Sequence, residues 1–309
     1  MRKLIIFLFY VPLVFKALNL QAFLSKFTPA PESIIQLFAY FTLLSAIAGA
    51  IYLIRRKNKF PFAINIWIYF FVLYFTFALV ANIYHGTEPH RLLASLIAPL
   101  FFLSFSVLLS IPEERKGVAK VLAISFLVSC ILNIIFNFYN LSMDYEGIYE
   151  YELNRAGGIY GDANNTAVAS LLSFVFIEYI FRPNSLKGKI LKTLALLIST
   201  YSVVITYSKT GFVVLAIILI FTYRKFLSPK KLVVTILVLP MLLFLGYSYV
   251  ISSDSLNAEQ KNRVVSFVDI ITLQTDNVNF SGRDHLLKNM YGFIEKNPIL
   301  GNDLITKNS

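Results

Sequence analysis

Apolar stretches long enough to cross a bilayer recur roughly every 20 to 30 residues from Leu4 to Ile251. Polar residues collect in the short gaps between them. The stretches are continuous rather than alternating with period two, so they read as helices and not as barrel strands. Only helices or closed barrels satisfy the backbone inside hydrocarbon. The pattern predicts an all-α fold, a polytopic transmembrane helical bundle of about nine spans. The spans cover residues 4–24, 33–54, 61–84, 92–111, 118–140, 163–181, 190–207, 210–223 and 232–251. Residues 1–251 form the bundle, and residues 252–309 form an extracytoplasmic, partly helical loop.

Composition agrees with this reading: 57% of residues are hydrophobic, 16% aromatic and only 15% charged. A net charge of +11 would ordinarily raise the question of nucleic acid. Its distribution answers that question. Alternate loops hold Arg2 and Lys3, then Arg55, Arg56, Lys57 and Lys59, then Arg115, Lys116 and Lys120, then Arg182, Lys187, Lys189 and Lys192, then Arg224, Lys225, Lys230 and Lys231. The other short loops hold only Lys26, Arg91, Arg155 and Lys209. Basic residues favour the cytoplasmic side, so the N-terminus is expected inside and the C-terminal tail outside. The excess charge is topological, and the expected partners are membrane lipids, not nucleic acid. The single cysteine, Cys130, excludes an intrachain disulfide and a cysteine-based metal site. His85 and His90 share a polar outer loop, a weak zinc signal.

Several polar features remain. Asn133, Asn137 and Asn140 recur at helical spacing in the fifth span. They read either as interhelical hydrogen-bonding groups or as one wall of a hydrated cavity. In the loop from Met143 to Asn165, tyrosines alternate with carboxylates at Tyr149, Glu150, Tyr151 and Glu152. Such a loop is either an ordinary solvated segment with interfacial tyrosines or a surface that stacks on sugar rings and accepts their hydroxyls. Gly157, Gly158 and Gly161 follow, and Asp162 or Asn164 caps the sixth helix. That helix N-terminus would suit an anion, with Arg155 supplying charge. Lys209 sits in the tight outer turn Tyr207-Ser208-Lys209-Thr210-Gly211. It is either a snorkelling lysine or a cation held at headgroup level. In the tail, Ser281-Gly282-Arg283 opens an amphipathic helical pattern through Leu286, Leu287, Met290, Phe293 and Ile294.

Taken in order, Gly161-Asp162-Ala163-Asn164-Asn165, Tyr207-Ser208-Lys209-Thr210-Gly211, and Ser281-Gly282-Arg283 followed by Pro298-Ile299-Leu300-Gly301 resemble the O-antigen ligase and O-antigen polymerase family of bacterial surface-polysaccharide membrane glycosyltransferases. The resemblance covers residues 150–309. It implies an inner-membrane enzyme that moves an oligosaccharide from undecaprenyl diphosphate to an acceptor glycan or to lipid A core, on the outer face, with inversion and without metal or cofactor. It further implies that Lys209 and Arg283 bind the diphosphate; Arg155 joins them from its loop position. Tyr149, Glu150, Tyr151, Glu152 and Asn164 are the sugar-binding candidates. Family members usually carry Arg where Lys209 stands. They also continue to a histidine-bearing stretch beyond the Pro-to-Gly segment, so the resemblance implies a C-terminally truncated member. His285 is not that histidine. A transporter or flippase of lipid-linked sugar and a non-catalytic degenerate member are the alternatives. The transporter would call for internal repeat symmetry, which the sequence does not display.

Overall fold

The computed structural model describes residues 2–29, 62–85, 112–141, 143, 156–223, 251–253 and 258–271, with scattered single positions elsewhere. Among the described residues every regular element is helical. The helices are α1 (Arg2–Ala17), α2 (Leu20–Phe27), α3 (Phe62–His85), α4 (Pro112–Phe138), α5 (Ala163–Ile180), α6 (Leu186–Val204), α7 (Lys209–Tyr223) and α8 (Ala258–Ile271), with a 3-10 turn at Gly158–Tyr160 before α5. Predicted spans 61–84, 118–140, 163–181, 190–207 and 210–223 therefore correspond to α3 to α7. Spans 33–54, 92–111 and 232–251 lie largely outside the described residues.

Among the described residues two helical segments, Glu114–Phe138 and Ala163–Ile180, are long and apolar enough to cross a membrane. Their surfaces say more than their lengths. On α5 the exposed face carries Val168, Leu172, Val175 and Tyr179, while the buried face carries Thr166, Ser170 and Ser173. Apolar outside and hydroxyl-rich inside is the reverse of a water-soluble helix. It is the arrangement that lipid selects, because burial of apolar surface between helices gains little there and interhelical hydrogen bonds and close packing do the work.

Two compact units divide the chain. One contains Met1–Pro12, Leu37–Arg115 and Asn279–Ser309. Its described part is dominated by α3, which exposes Ile66, Trp67, Tyr69, Phe70, Leu73, Phe77 and Ile83. Trp67 and Phe71 pack on Phe102 at ring separations of 5.8 and 5.6 Å. Met290, Tyr291, Gly292 and Glu295 are helical, in line with the amphipathic pattern read there.

The other unit contains Leu13–Gln36 and Lys116–Val278. Its centre is the antiparallel pair α5 and α6. Ser185 caps α6 by accepting the Gly188 N–H at 3.2 Å. Ala123, Phe174, Ile177, Ala195 and Leu196 form an apolar core at one end of the pair. Leu171, Val203 and Leu215 join α7 to it further along. Gly211 allows α7 to approach α5 closely, since a Cβ there would stand 2.9 Å from the Ala167 Cβ.

Three expectations change here. The predicted span 4–24 is two helices, broken at Leu18 and Asn19, where Asn19 is left-handed (φ 45°). The break has a tertiary cause: the Asn19 amide donates to the Ile159 carbonyl at 2.8 Å, and the Tyr160 hydroxyl donates to the Ala17 carbonyl. Lys16 thus stands in the last turn of α1, where a cation is favoured. The asparagine stripe also divides: Asn133 is fully buried, whereas Asn137 and Asn140 are exposed. Asn140 lies beyond the end of α4 in a left-handed turn (φ 51°). Finally, α8 lies in the segment expected to be a partly helical loop, ahead of the one helical pattern read there.

Candidate functional site

A ladder of polar contacts runs along the facing sides of α5 and α6. At one end Lys192 Nζ meets Glu178 Oε2 at 2.8 Å. The next rungs are the Ser173–Ser199 hydroxyl pair at 2.8 Å and the Ser170–Ser202 pair at 2.7 Å. Ser199 donates to the Ala195 carbonyl and Ser170 to the Thr166 carbonyl. Each of those protons is thus committed to its own helix, which leaves Ser173 to donate to Ser199 and Ser202 to donate to Ser170. Asn133 of α4 adds a third side, its amide donating to Ser202 Oγ at 2.9 Å and to the Ser202 carbonyl at 3.3 Å. The buried Cys130 thiol lies among the hydroxyls of Ser170, Ser173, Ser199 and Ser202.

At the far end of this ladder, about 20 Å from the ion pair by helical rise, the helices begin and end together. α6 terminates at Val204, and a turn of Ile205 to Tyr207 reverses the chain. The turn is closed by Thr206 N–H to Val203 O (3.2 Å) and Tyr207 N–H to Val204 O (3.1 Å). Ser208 then caps α7, its hydroxyl oxygen accepting the Gly211 N–H at 3.1 Å. The same hydroxyl donates to Asn164 Oδ1 at 2.8 Å. That bond ties the second helical residue of α5 to the cap of α7. Two of the motifs singled out in the sequence therefore touch. Ser208→Ala removes both bonds at once, at a cost of about 1–2 kcal/mol. The purified protein is expected to melt a few degrees lower in detergent, and an unchanged transition would show that the tie contributes nothing.

The loop before α5 docks on the same turn. The Ala156 N–H donates to the Ile205 carbonyl at 3.3 Å, and Thr166 donates from Oγ1 to the Gly157 carbonyl. Gly158 (φ +52°) lies against the Asn133 amide. Asn133 Oδ1 has no hydrogen-bond partner and is buried. Ile159, fully buried, packs with Phe136, Met143 and Phe23. Burial pushes the Tyr160 phenol up to about 12, so it remains a neutral donor to Ala17 at ordinary pH.

Lys209 is the first residue of α7. The positive end of a helix macrodipole adds to its ammonium there, which together favour an anion. The corresponding end of α5 is different. Asp162, not Asn164, is its cap, accepting the Asn165 N–H at 2.7 Å. A carboxylate already holds the anion position anticipated for that helix. Asn164 is half-buried and engaged by Ser208. Arg155, Arg283, Tyr149, Glu150, Tyr151 and Glu152 lie outside the described residues, as do His285 and the Pro298-to-Gly301 segment. Among the described residues no cluster of His, Cys, Asp and Glu could hold a metal. Ser208 was quoted in the sequence only as part of its motif. Its role depends on the α5–α6 register, which no local pattern reveals.

No curated protein and no solved structure matches the chain. Residues 194–302 match the family model described as O-antigen ligase. The match takes in most of α6, the Ile205–Ser208 turn, α7, α8, Lys209 and Arg283; Asn164 and its loop precede it. Over this stretch, about a third of its length, the chain is similar to the O-antigen ligase family.

Proposed function

We propose that the chain transfers oligosaccharide units from undecaprenyl diphosphate to an acceptor, either a growing glycan or lipid A core, at the outer face of the inner membrane. The observation that carries this reading is the Asn164–Ser208 bond. It gathers the start of α5, the Ile205–Ser208 turn and Lys209 at one end of a bundle whose outer surface is apolar. In the reading the Glu178–Lys192 end faces the cytoplasm with the N-terminus, and Lys209 and the C-terminal tail face outward, as the loop charges favour.

In the reaction the acceptor hydroxyl oxygen attacks the anomeric carbon. A carbon–oxygen bond forms there as the bond to the diphosphate breaks, and its electron pair leaves on undecaprenyl diphosphate. The hydroxyl proton passes to a base, and Glu146, Glu150, Glu152 and His285 carry groups able to accept it. Lys209, Arg283 and Arg155 stabilise charge that grows on the leaving diphosphate. Lys209 does so as a point charge rather than a bidentate fork. Tyr149, Glu150, Tyr151 and Glu152 receive the sugar. Asn164 was assigned to that group; its bond to Ser208 also makes it a positioning residue for Lys209.

Membranes carrying the chain, supplied with undecaprenyl-diphosphate-linked oligosaccharide, are expected to release undecaprenyl diphosphate when the right acceptor is present. Consumption of glycan marks a polymerase, and consumption of lipid A core marks a ligase. Release with neither acceptor refutes the enzymatic reading, and lipid-linked units stranded on the cytoplasmic face of cells lacking the protein would point to transport instead.

A further inference from the structure

Three described residues other than glycine adopt a left-handed backbone: Asn19, Asn140 and Tyr207. Asparagine tolerates that region because its short side chain bonds locally. Tyrosine does not, and at φ 49° Tyr207 bears a cost of about 1–2 kcal/mol. The bend itself has no need of a tyrosine. Its bonds come from the Thr206 and Tyr207 N–H groups, and from the Thr206 hydroxyl accepting the Ser208 N–H at 3.3 Å. Glycine, the residue that helix ends select at this conformation, would make all of them without strain.

The position of Tyr207 suggests what the strain secures. It is half-buried, directly before the Ser208 cap and Lys209, and close enough to Tyr201 for the two phenols to interact. Tyr201 is on the exposed face of α6, together with Val204. Tyr207 therefore sits where the apolar outer surface gives way to the Lys209 end of α7. Strained residues that persist without a structural need cluster where a side chain has work to do on a ligand.

We infer that Tyr207 is a specificity-determining contact for a polyprenyl diphosphate, its ring forming the edge over which the lipid-linked group reaches Lys209 from the bilayer. The inference rests on the proposed function and adds a residue to it. The aromatic ring offers a flat, low-entropy surface to the first isoprene units and the adjoining sugar, and the ammonium of Lys209 holds the diphosphate beside it.

The test uses the purified full chain in detergent, with undecaprenyl diphosphate as the probe and the thermal midpoint as the readout. Without probe, Tyr207→Gly is expected to melt above the parent protein, because the strain is gone. With probe, the parent midpoint rises, while Tyr207→Gly binds about tenfold more weakly and shifts little. Tyr207→Phe keeps both the parent midpoint and most of the binding. A lower midpoint for Tyr207→Gly without probe means that the ring is needed for packing and overturns the inference. So does parent-like binding by Tyr207→Gly, and if Lys209→Ala has lost binding in the same experiment, the proposed function stands while this inference falls. A parent protein that does not bind the probe removes both.

Discussion

Lys209→Ala is expected to abolish long-chain surface polysaccharide while the protein stays at its normal level in the membrane. The reason is positional. Lys209 begins α7, its ammonium and the helix end together favour an anion, and the Ser208–Asn164 bond fixes that end against α5. Removing a charge that stabilises a leaving diphosphate costs about 10²–10³ in rate, on the scale of a lost oxyanion donor. At that rate chains would stay short. Lys209→Arg keeps the charge and is expected to keep the ladder of chain lengths. Arg283→Ala is expected to behave as Lys209→Ala does, because it shares the matched segment 194–302. Gel profiles of the polysaccharide beside immunoblots of the membrane fraction distinguish lost chemistry from lost protein. A normal profile from both alanine variants would end the diphosphate assignment.

Gly158→Ala is expected to damage folding rather than chemistry. Its backbone is left-handed (φ +52°), which costs an alanine about 1–2 kcal/mol. The new Cβ would stand 2.5 Å from Asn133 Oδ1. Asn133 has no room to retreat, because it is fully buried and its amide is bonded to Ser202. Displacing it leaves further buried polar groups without partners, at about 1–3 kcal/mol each. The total is a large part of the 5–15 kcal/mol or so that typically separates folded from unfolded. A fall of roughly 5–10 °C in the detergent melting temperature is expected. Gly292→Ala is the control: a Cβ there meets nothing within 4 Å, so its transition is expected to stay in place. Equal melting of the two variants would show that the turn at Gly158–Tyr160 is not the clamp described here.

The helices were legible where apolar runs were long and bounded by charge, as for α3 to α7. The break between α1 and α2 was not. Apolar residues flank it on both sides at Leu18 and Leu20, and what opens the chain there is a pair of bonds from Ile159 and Tyr160. A local reading cannot weigh partners some 140 residues away. The asparagine stripe failed for a related reason. Spacing places Asn133, Asn137 and Asn140 on one side of a helix, but α4 ends at Phe138, and only Asn133 has Ser202 opposite. α8 was missed because its first half is charged and only its second half apolar.

At the site, Lys209 and Asn164 could each be singled out as members of a motif. Their connection could not, since it requires α5 and α6 in a particular register. One clue was present: Thr166, Ser170 and Ser173, then Ser199, Ser202 and Thr206, recur at helical spacing in consecutive spans. Hydroxyls repeated on one side of two neighbouring apolar helices are a sign that those sides meet.

The antiparallel contacts Asn164–Ser208, Ser170–Ser202 and Ser173–Ser199 share one alignment. Sliding α5 past α6 by a single residue would part all three in the same step, with no intermediate position to rest in. This hairpin therefore behaves as a stiff strut, and any movement needed to admit the glycolipid proposed above has to be supplied by the segments around it.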